Sequence, residues 1–193
     1  MPEYCPCCGK RSDSWIEEEC YKGYVIELHR DLDPINPREW DNLGTMVCCH
    51  RRYNLGDEQA SSEEIKELME RDDVEYLPLY LYDHGGLAMN TGGFYHCDSL
   101  RWDWGMVGII YVTHEKIKQE YGEVNDETIQ RALRVLESEV KTYSHYLQGL
   151  VYGYAIRREG SHEIIDSCYG YYDEKLAWRN AKEMVDHLVE SEE

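Results

Sequence analysis

The sequence is poor in several features that mark common protein classes. It has 20 basic residues against 39 acidic ones, and no apolar run approaches the roughly 20 residues needed to span a bilayer. Residues 1–15 lack the apolar stretch of a secretory signal. Because proteins that bind nucleic-acid phosphates need a cationic face, the shortage of Lys and Arg argues against direct nucleic-acid binding. We therefore expect a cytoplasmic protein that binds neither membranes nor nucleic acid directly.

Motifs of common enzyme classes are also missing. The chain has no phosphate-binding P-loop, no G-x-S-x-G nucleophile motif and no H-E-x-x-H zinc motif. The Asp83-His84 pair could act as a general base, but no nucleophile motif accompanies it. We therefore expect a protein without enzymatic activity, with acid–base chemistry as the alternative.

Periodic segments indicate the fold class. Strand-like segments occupy residues 24–29, 44–52, 76–90, 106–113, 150–158 and 163–172. Helical patterns cover residues 61–73, 114–122, 126–148 and 174–190. Hairpins and helices do not alternate regularly, which predicts an α+β protein with a mainly antiparallel sheet packed against two or three helices. Residues 1–20 are expected to form a small Cys-rich appendage, and residues 21–193 a single domain.

Carboxylates are concentrated in the predicted helices. Residues 59–75 hold seven acidic and two basic side chains, in a chain of net charge −19. Carboxylates at i and i+3 or i+4 lie about 5–6 Å apart on a helix, so an acidic face could imitate a phosphate track. A simple solvated surface is the alternative. The candidate partner-binding residues are Glu63, Glu64, Glu67, Glu70, Asp72 and Asp73.

Cysteines near the N-terminus suggest a zinc knuckle. The sequence Cys5-Pro6-Cys7-Cys8-Gly9 has the CPxCG form, which supplies two thiolate ligands. A closed zinc site needs four ligands, and further candidates are Cys20, Cys48, Cys49 and His50. The predicted ligand set is Cys5, Cys8, Cys20 and Cys48. A reduced Cys-rich terminus without metal is the alternative.

The stretch 29–57 combines many carboxylates, asparagines and arginines. Its oxygen-rich half lacks the spacing of an EF-hand, so local turn capping competes with metal binding there. In its second half, Arg51 and Arg52 are suited to a phosphate or carboxylate, or else pair with the protein's own acids. The candidate small-ligand site comprises Arg51, Arg52, Asp57, Asp83, His84 and Asp103.

Three stretches carry a family resemblance: NPREWDNLGTMVCCHRRYNLGD (36–57), YDHGGLAMNT (82–91) and WDWGMVGIIYVT (102–113). They resemble an uncharacterised family of small acidic proteins encoded by bacteriophages and mobile elements. The similar segments extend from Tyr24 to Tyr172, so residues 1–20 lie beyond them. The resemblance implies an origin on a phage or mobile element and a location in the host cytoplasm, and it brings no residue roles.

Two function hypotheses follow. In the first, the protein is a non-enzymatic anti-defence inhibitor, such as an anti-CRISPR or anti-restriction protein. As a DNA mimic, it would bind the cationic nucleic-acid-binding surface of a host nuclease through its acidic helices. In the second, it binds a nucleotide signal in the candidate small-ligand site and sequesters or cleaves it.

Overall fold

The computed structural model describes residues 14–191, and its fold is α+β, as the sequence predicts. The described chain forms two compact units, each with its own sheet. Unit 1 comprises residues 14–35 and 149–191, and unit 2 comprises residues 36–148. Within residues 14–191, no helix is both long and apolar enough to cross a membrane.

Unit 1 is a four-stranded antiparallel sheet with one helix on a face. The strands are β1 (Trp15–Tyr21), β2 (Tyr24–Arg30), β8 (Tyr152–Arg158) and β9 (Ile164–Tyr171), in the order β1-β2-β8-β9. Helix α4 (Glu174–Glu190) begins at the cap residue Asp173. Alternate strand residues pack against it, because successive side chains of a strand point to opposite faces. Ile26 and Ile156 thereby contact Ala181 and Val185 in a buried core.

Strand β1 lies where the sequence suggested a separate appendage. Its three consecutive glutamates, residues 17–19, interrupt the alternation of apolar and polar residues by which a strand is predicted. Lys22 and Gly23 both have positive φ and form the two-residue turn into β2. Such turns favour residues that tolerate positive φ, and Gly does so at no steric cost. Of the predicted appendage, residues 15–20 therefore belong to the sheet of unit 1.

Unit 2 is a five-stranded sheet with helices on both faces. Its strands are β3 (Thr45–Cys48), β4 (Glu58–Gln59), β5 (Val74–Asp83), β6 (Leu87–Asn90) and β7 (Trp104–Thr113). Their order is β4-β3-β7-β5-β6, and only β3 and β4 run parallel. The helices are α1 (Ser62–Met69), α2 (His114–Tyr121) and α3 (Asp126–Leu147). Leu136 and Val140 of α3 are buried against one face, and Ile65 of α1 packs on Val47 and Ile109 of the other.

Local chemistry explains the helix ends of unit 2. Ser61 and Glu64 form the predicted capping box at the start of α1. Thr113 caps α2, which ends at Gly122 in the left-handed region, where glycine is favoured. Pro78, predicted at an edge or a strand start, lies within β5. It pairs with β7 only, because β6 begins its pairing with β5 at Tyr80.

Candidate functional site

The polar stretch after residue 35 is held by one buried guanidinium. The side chain of Arg38 is 3% exposed and donates to Asp57 (Nε–Oδ1 2.9 Å, Nη2–Oδ2 2.6 Å) and to Glu139 (Nη1–Oε2 3.0 Å). A further Nη2 bond of 2.7 Å reaches the Gly44 carbonyl. Burial acts to lower the pKa of Arg38, but the bonds to both carboxylates outweigh it and raise that pKa. Much of the unusual polarity of this stretch is therefore structural.

Asp57 belongs to this network rather than to a ligand site. Its carboxylate accepts from Arg38 and also from the Met46 amide at 2.7 Å. Asn36 and Asn42 cap the neighbouring turn by bonding Arg38 N and the Pro37 carbonyl. One of the six predicted small-ligand residues is thus used to hold the loop.

The other five predicted small-ligand residues come together at one end of the sheet in unit 2. Asp83 ends β5, Asp103 precedes β7, and the Asp83 amide donates to the Asp103 carbonyl at 2.8 Å. Around them is an open cleft of about 770 Å³, which we call the arginine cleft. Its lining residues include Cys49, His50, Arg51, Arg52, Asp83, Trp102, Asp103 and Met106. His84 adjoins the cleft through Asp103 (Nδ1–Oδ2 3.1 Å).

Both carboxylates of the arginine cleft are engaged by neighbours. Asp83 is ion-paired with Arg52 and accepts from the Tyr53 hydroxyl at 3.3 Å. Asp103 is paired with His84, as described above. Arg51 is exposed and makes no ion pair with any residue among 14–191. The cleft therefore presents a guanidinium without an ion-pair partner in the described chain beside Asp83, which Arg52 neutralises, and Asp103, which lies against His84.

Asp98 fixes the loop that carries Trp102 at the edge of the arginine cleft. The Asp98 carboxylate accepts the amides of Leu100 (3.0 Å), Trp102 and Asp103 (3.0 Å), and its carbonyl accepts Trp104 Nε1 at 2.7 Å. These backbone bonds, led by the one from Asp103, lower the pKa of Asp98. Trp102 itself is 82% exposed. A fixed loop thus holds a large indole in solvent at the edge of the cleft.

The predicted acidic surface is only partly available. Glu64 is bound by the Ser61 amide and hydroxyl, led by the amide, and these bonds lower its pKa. Asp73 is ion-paired with Arg71 at 2.7 Å. The remaining carboxylates of the set are exposed and make no ion pair with a residue of the described chain. They are Glu63, Glu67, Glu70 and Asp72.

The structure describes two of the four predicted zinc ligands. Cys5 and Cys8 lie outside the described residues. Cys20 is exposed on β1 of unit 1, and Cys48 is buried in the core of unit 2. Burial raises the pKa of Cys48 to about 12, which disfavours the thiolate that zinc requires. Residues 14–191 contain no group of three or more His, Cys, Asp or Glu side chains that could hold a metal ion. Zinc binding therefore stays a prediction.

Sequence reasoning missed a buried charge cluster in unit 1. Glu27 of β2 is 3% exposed and accepts from Arg157 Nε of β8 at 2.8 Å. His29 lies 3.5 Å from the other oxygen of Glu27, and its Nδ1 is 3.3 Å from Ser14 Oγ. Polar residues at alternate positions of β2 were the available signal, because they share one face of the strand. The cluster lies on the face of the unit 1 sheet that is opposite α4.

Sequence reasoning also missed a groove along α3. Trp40, Arg131 and Arg134 line it together with Ser138. The spacing of Arg131, Arg134, Ser138 and Lys141 by three and four residues could have indicated one exposed helix face.

Comparisons of the chain with protein-family models, with curated proteins and with solved structures found no match. The resemblance to proteins of phages and mobile elements therefore stays a prediction.

Proposed function

We propose that the arginine cleft binds a small phosphorylated molecule of nucleotide type and that the protein sequesters it. The observation that carries the proposal is the combination of unpaired Arg51 with the exposed indole of Trp102 at one cleft. The cleft volume of about 770 Å³ lies within the range of roughly 300–1,000 Å³ typical of small-ligand sites.

The two guanidinium groups support an anionic ligand. Arg51 has no carboxylate partner among residues 14–191, and Arg52 shares its charge with Asp83 while 68% of its side chain is exposed. Guanidinium donors match phosphate oxygens in a planar, bidentate arrangement. The ion pair of Asp83 with Arg52 reduces the repulsion of a phosphate by that carboxylate. Arg51 is therefore the principal phosphate-binding residue of the proposal.

The remaining groups favour a nucleotide over inorganic phosphate. An exposed indole offers a stacking surface for a heterocyclic base, and base–aromatic stacking contributes about 1–3 kcal/mol. The carboxylates of Asp83 and Asp103 can accept from sugar hydroxyls or from the amino group of a base. Free phosphate would use Arg51 and Arg52 and would leave Trp102 without a role.

Sequestration fits the phage or mobile-element origin that the resemblance implies, because removing a nucleotide signal would weaken a host defence. Cleavage by the His84–Asp103 pair is the competing outcome at the same site. The two outcomes differ in what is recovered, since sequestration returns the ligand intact and cleavage returns products.

The test begins with the ligand that accompanies the purified full chain. The protein is denatured, and the released small molecules are identified by mass spectrometry. Titration calorimetry then measures the Kd of that compound, or of a panel of mononucleotides, dinucleotides and cyclic nucleotides. We expect Arg51→Ala and Trp102→Ala each to weaken binding by about tenfold or more, as the loss of a charge-assisted bond or a stacked base predicts.

A matched control is Arg179→Ala on α4, which removes an exposed arginine from unit 1. It should leave the Kd unchanged. The proposal is wrong if no nucleotide binds, or if Arg179→Ala weakens binding as much as Arg51→Ala does.

A second function is favoured by the four exposed, unpaired carboxylates of the α1 region, Glu63, Glu67, Glu70 and Asp72. Glu63, Glu67 and Glu70 recur at spacings of four and three residues, which places them on one side of the helix. We propose that this surface binds the cationic nucleic-acid-binding surface of a host nuclease. This is the anti-defence hypothesis restricted to the carboxylates that are available.

Salt and charge reversal separate this function from the first. A complex held by these carboxylates should weaken steeply as salt rises, because exposed charges are screened. Reversal of Glu63, Glu67 and Glu70 to Lys should abolish inhibition of the target nuclease and leave nucleotide binding unchanged. Glu64 is left intact, since its reversal would break the capping box. Inhibition that survives the triple reversal would exclude this surface.

A further inference from the structure

A second group of chemically active side chains lies in unit 1, on the face of the sheet that is opposite α4. Glu27 and His29 are two positions apart on β2 and share this face, where their side chains are 3% and 7% exposed. Across β8, Glu27 lies in register with Ser167 of β9, and His29 is in register with Tyr169 in the same way. Directly paired residues of neighbouring strands point to the same side, so these four side chains belong to one patch.

Three side chains in this region follow one another in close contact. Ser14 Oγ lies 3.3 Å from His29 Nδ1, and His29 Nε2 lies 3.5 Å from Glu27 Oε2. The other oxygen of Glu27 accepts from Arg157 Nε at 2.8 Å, which fixes the carboxylate beside the imidazole. Hydroxyl, imidazole and carboxylate in this order have the arrangement of a nucleophile, its general base and the group that orients the base. Both contacts exceed the roughly 2.6–3.2 Å of a formed catalytic hydrogen bond, and such contacts often shorten only when substrate binds.

Backbone pairing places Ser14 at a cavity. Ser14 directly precedes β1, and its carbonyl accepts from the Arg30 amide at 2.6 Å. The adjoining cavity has a volume of about 300 Å³, at the lower end of the range of roughly 300–1,000 Å³ typical of small-ligand sites. Ser14 and His29 line it, and Leu32 and Ile164 add apolar surface. The hydroxyl and the imidazole therefore face a space in which a small molecule can reach both.

Tyr169 adds a hydrogen-bond donor to the same cavity. Its ring lies 6.5 Å from the ring of His29 and packs on Gly153, where a Cβ would be 2.1 Å from the Tyr169 ring. The missing side chain of Gly153 therefore makes room for the tyrosine. Burial, followed by the charges of Asp31 and Glu27, raises the pKa of Tyr169, so its hydroxyl keeps its proton at neutral pH.

The charge of the cavity is negative. Asp31 and Asp33 line it and make no ion pair with a residue among 14–191. Arg30 is the arginine of the lining, but its guanidinium donates to the Gly149 carbonyl at 2.7 Å and lies over the ring of Tyr152, which packs on the α4 side. An anionic ligand would therefore be repelled here, unlike in the arginine cleft.

We propose that Ser14, His29 and Glu27 form a hydrolytic triad that cleaves a small carboxylic ester without negative charge. The triad lies within unit 1 and shares no residue with the arginine cleft, so the proposal stands whether or not the cleft binds a nucleotide.

The reaction has two halves. The Ser14 hydroxyl attacks the ester carbonyl carbon, and its proton passes to His29 Nδ1. The Tyr169 hydroxyl donates to the oxyanion of the tetrahedral intermediate, which collapses as the alcohol leaves with the proton from His29. Water then attacks the acyl group on Ser14 and gives a proton to His29, and the carboxylic acid leaves as that proton returns to Ser14. Glu27 is a positioning residue, because it holds the imidazole with its proton on Nε2.

Two probes test the nucleophile on the full chain. A fluorophosphonate forms a stable ester with an activated serine and releases fluoride, and mass spectrometry of the peptides locates the label. With p-nitrophenyl acetate, a burst of about one equivalent of p-nitrophenolate reports an acyl-enzyme. We expect the label on Ser14 and expect Ser14→Ala to abolish both label and burst. His29→Asn should slow acylation by about 100-fold or more.

Steady-state kinetics test the supporting groups. Tyr169→Phe keeps the ring on Gly153 and should lower kcat by about tenfold or more, because it removes the oxyanion donor. Glu27→Gln should lower kcat by about tenfold or more at nearly unchanged KM, since the positioned imidazole acts on the chemical step. A merely structural role of Glu27 would not separate kcat from KM in this way.

A matched serine and a matched substrate pair decide the outcome. Ser167→Ala changes another serine of the same cavity and should leave label and burst unchanged. The anionic p-nitrophenyl hydrogen succinate should have a kcat/KM about tenfold or more below that of neutral p-nitrophenyl butyrate. The proposal is overturned if wild type carries no label on Ser14, if Ser14→Ala still gives the burst, or if Ser167→Ala loses as much as Ser14→Ala. Equal rates for the two esters would overturn the substrate class.

Discussion

Replacing Arg38 by Met should destabilise unit 2 strongly. The substitution keeps a long apolar side chain but removes four hydrogen bonds to Asp57, Glu139 and the Gly44 carbonyl. The side chains of Asp57 and Glu139 are only 22% and 11% exposed, so two partly buried carboxylates would lose their common cation. Loss of one partner from a buried ion pair costs about 3–5 kcal/mol.

Two features set the expected value at the lower end of that range. Asp57 keeps the Met46 amide as a donor, and Glu139 keeps the Leu43 amide. Asp57 is also partly accessible to water, which screens its charge. We therefore expect the free energy of unfolding to fall by about 3 kcal/mol. Arg38→Lys should cost less, about 1–2 kcal/mol, because the ammonium keeps the charge and loses the bidentate geometry.

Urea unfolding at neutral pH, followed by circular dichroism and tryptophan fluorescence, measures these changes. Arg134→Met is the matched control, because it removes an exposed arginine of the same unit and should change the stability by less than about 0.5 kcal/mol. Removing the carboxylates as well, in Arg38→Met/Asp57→Asn/Glu139→Gln, should restore part of the loss. A cost below about 1 kcal/mol for Arg38→Met would refute the reasoning, as would a further loss in the triple variant.

Two other predictions concern Asp98 and Gly108. Because the folded pKa of Asp98 is lowered below 3.8, its contribution to the loop is present above that pH and is lost as the pH falls through the lowered value. Asp98→Asn should therefore speed hydrogen exchange of the Trp102 and Asp103 amides at neutral pH, and unchanged protection would contradict the role of Asp98. A Cβ at Gly108 would lie 2.0 Å from the Val47 carbonyl oxygen, so Gly108→Ala should lower the unfolding free energy by about 2 kcal/mol or more. Gly105→Ala, in the same strand with no atom within 4 Å, should have a much smaller effect in thermal unfolding, and equal effects would contradict the steric explanation.

The helices were predictable because their signals are local. The capping residues lie within four residues of the helix ends that they determine. They are Ser61 and Glu64 for α1, and Thr113 and Gly122 for α2. The apolar positions of α3 recur every three or four residues, which is visible in any window of the sequence. The α+β class followed from such signals and is confirmed.

The division into two units depends on pairings that no local window contains. Strand β2 pairs with β8, so that Ile26 lies beside Ile156. The sequence around either residue does not indicate this pairing. Strand β1 was missed because consecutive glutamates masked it, although the Lys22-Gly23 turn was available as a signal.

The candidate small-ligand site was largely predictable for a different reason. Asp83 lies within the predicted strand-like segment 76–90, and Asp103 lies three residues before the predicted strand 106–113. In the structure they end β5 and precede β7, and these neighbouring strand ends meet at one edge of the sheet. Asp57 could not be assigned correctly, because its partner Arg38 was one of several arginines and Glu139 lies 101 residues away from that arginine. Trp40 and the cations of α3 were missed because their proximity depends on how the loop after residue 35 folds.

The most direct test of the account is the response of the tryptophan indole N–H signals to nucleotides. The chain has five tryptophans, so an ¹⁵N-labelled sample should give five resolvable signals. During titration with the identified nucleotide, we predict that the Trp102 signal shifts saturably and that the Trp178 signal on α4 does not. An unmoved Trp102 signal at about millimolar nucleotide, or equal shifts of both signals, would contradict a nucleotide site in the arginine cleft.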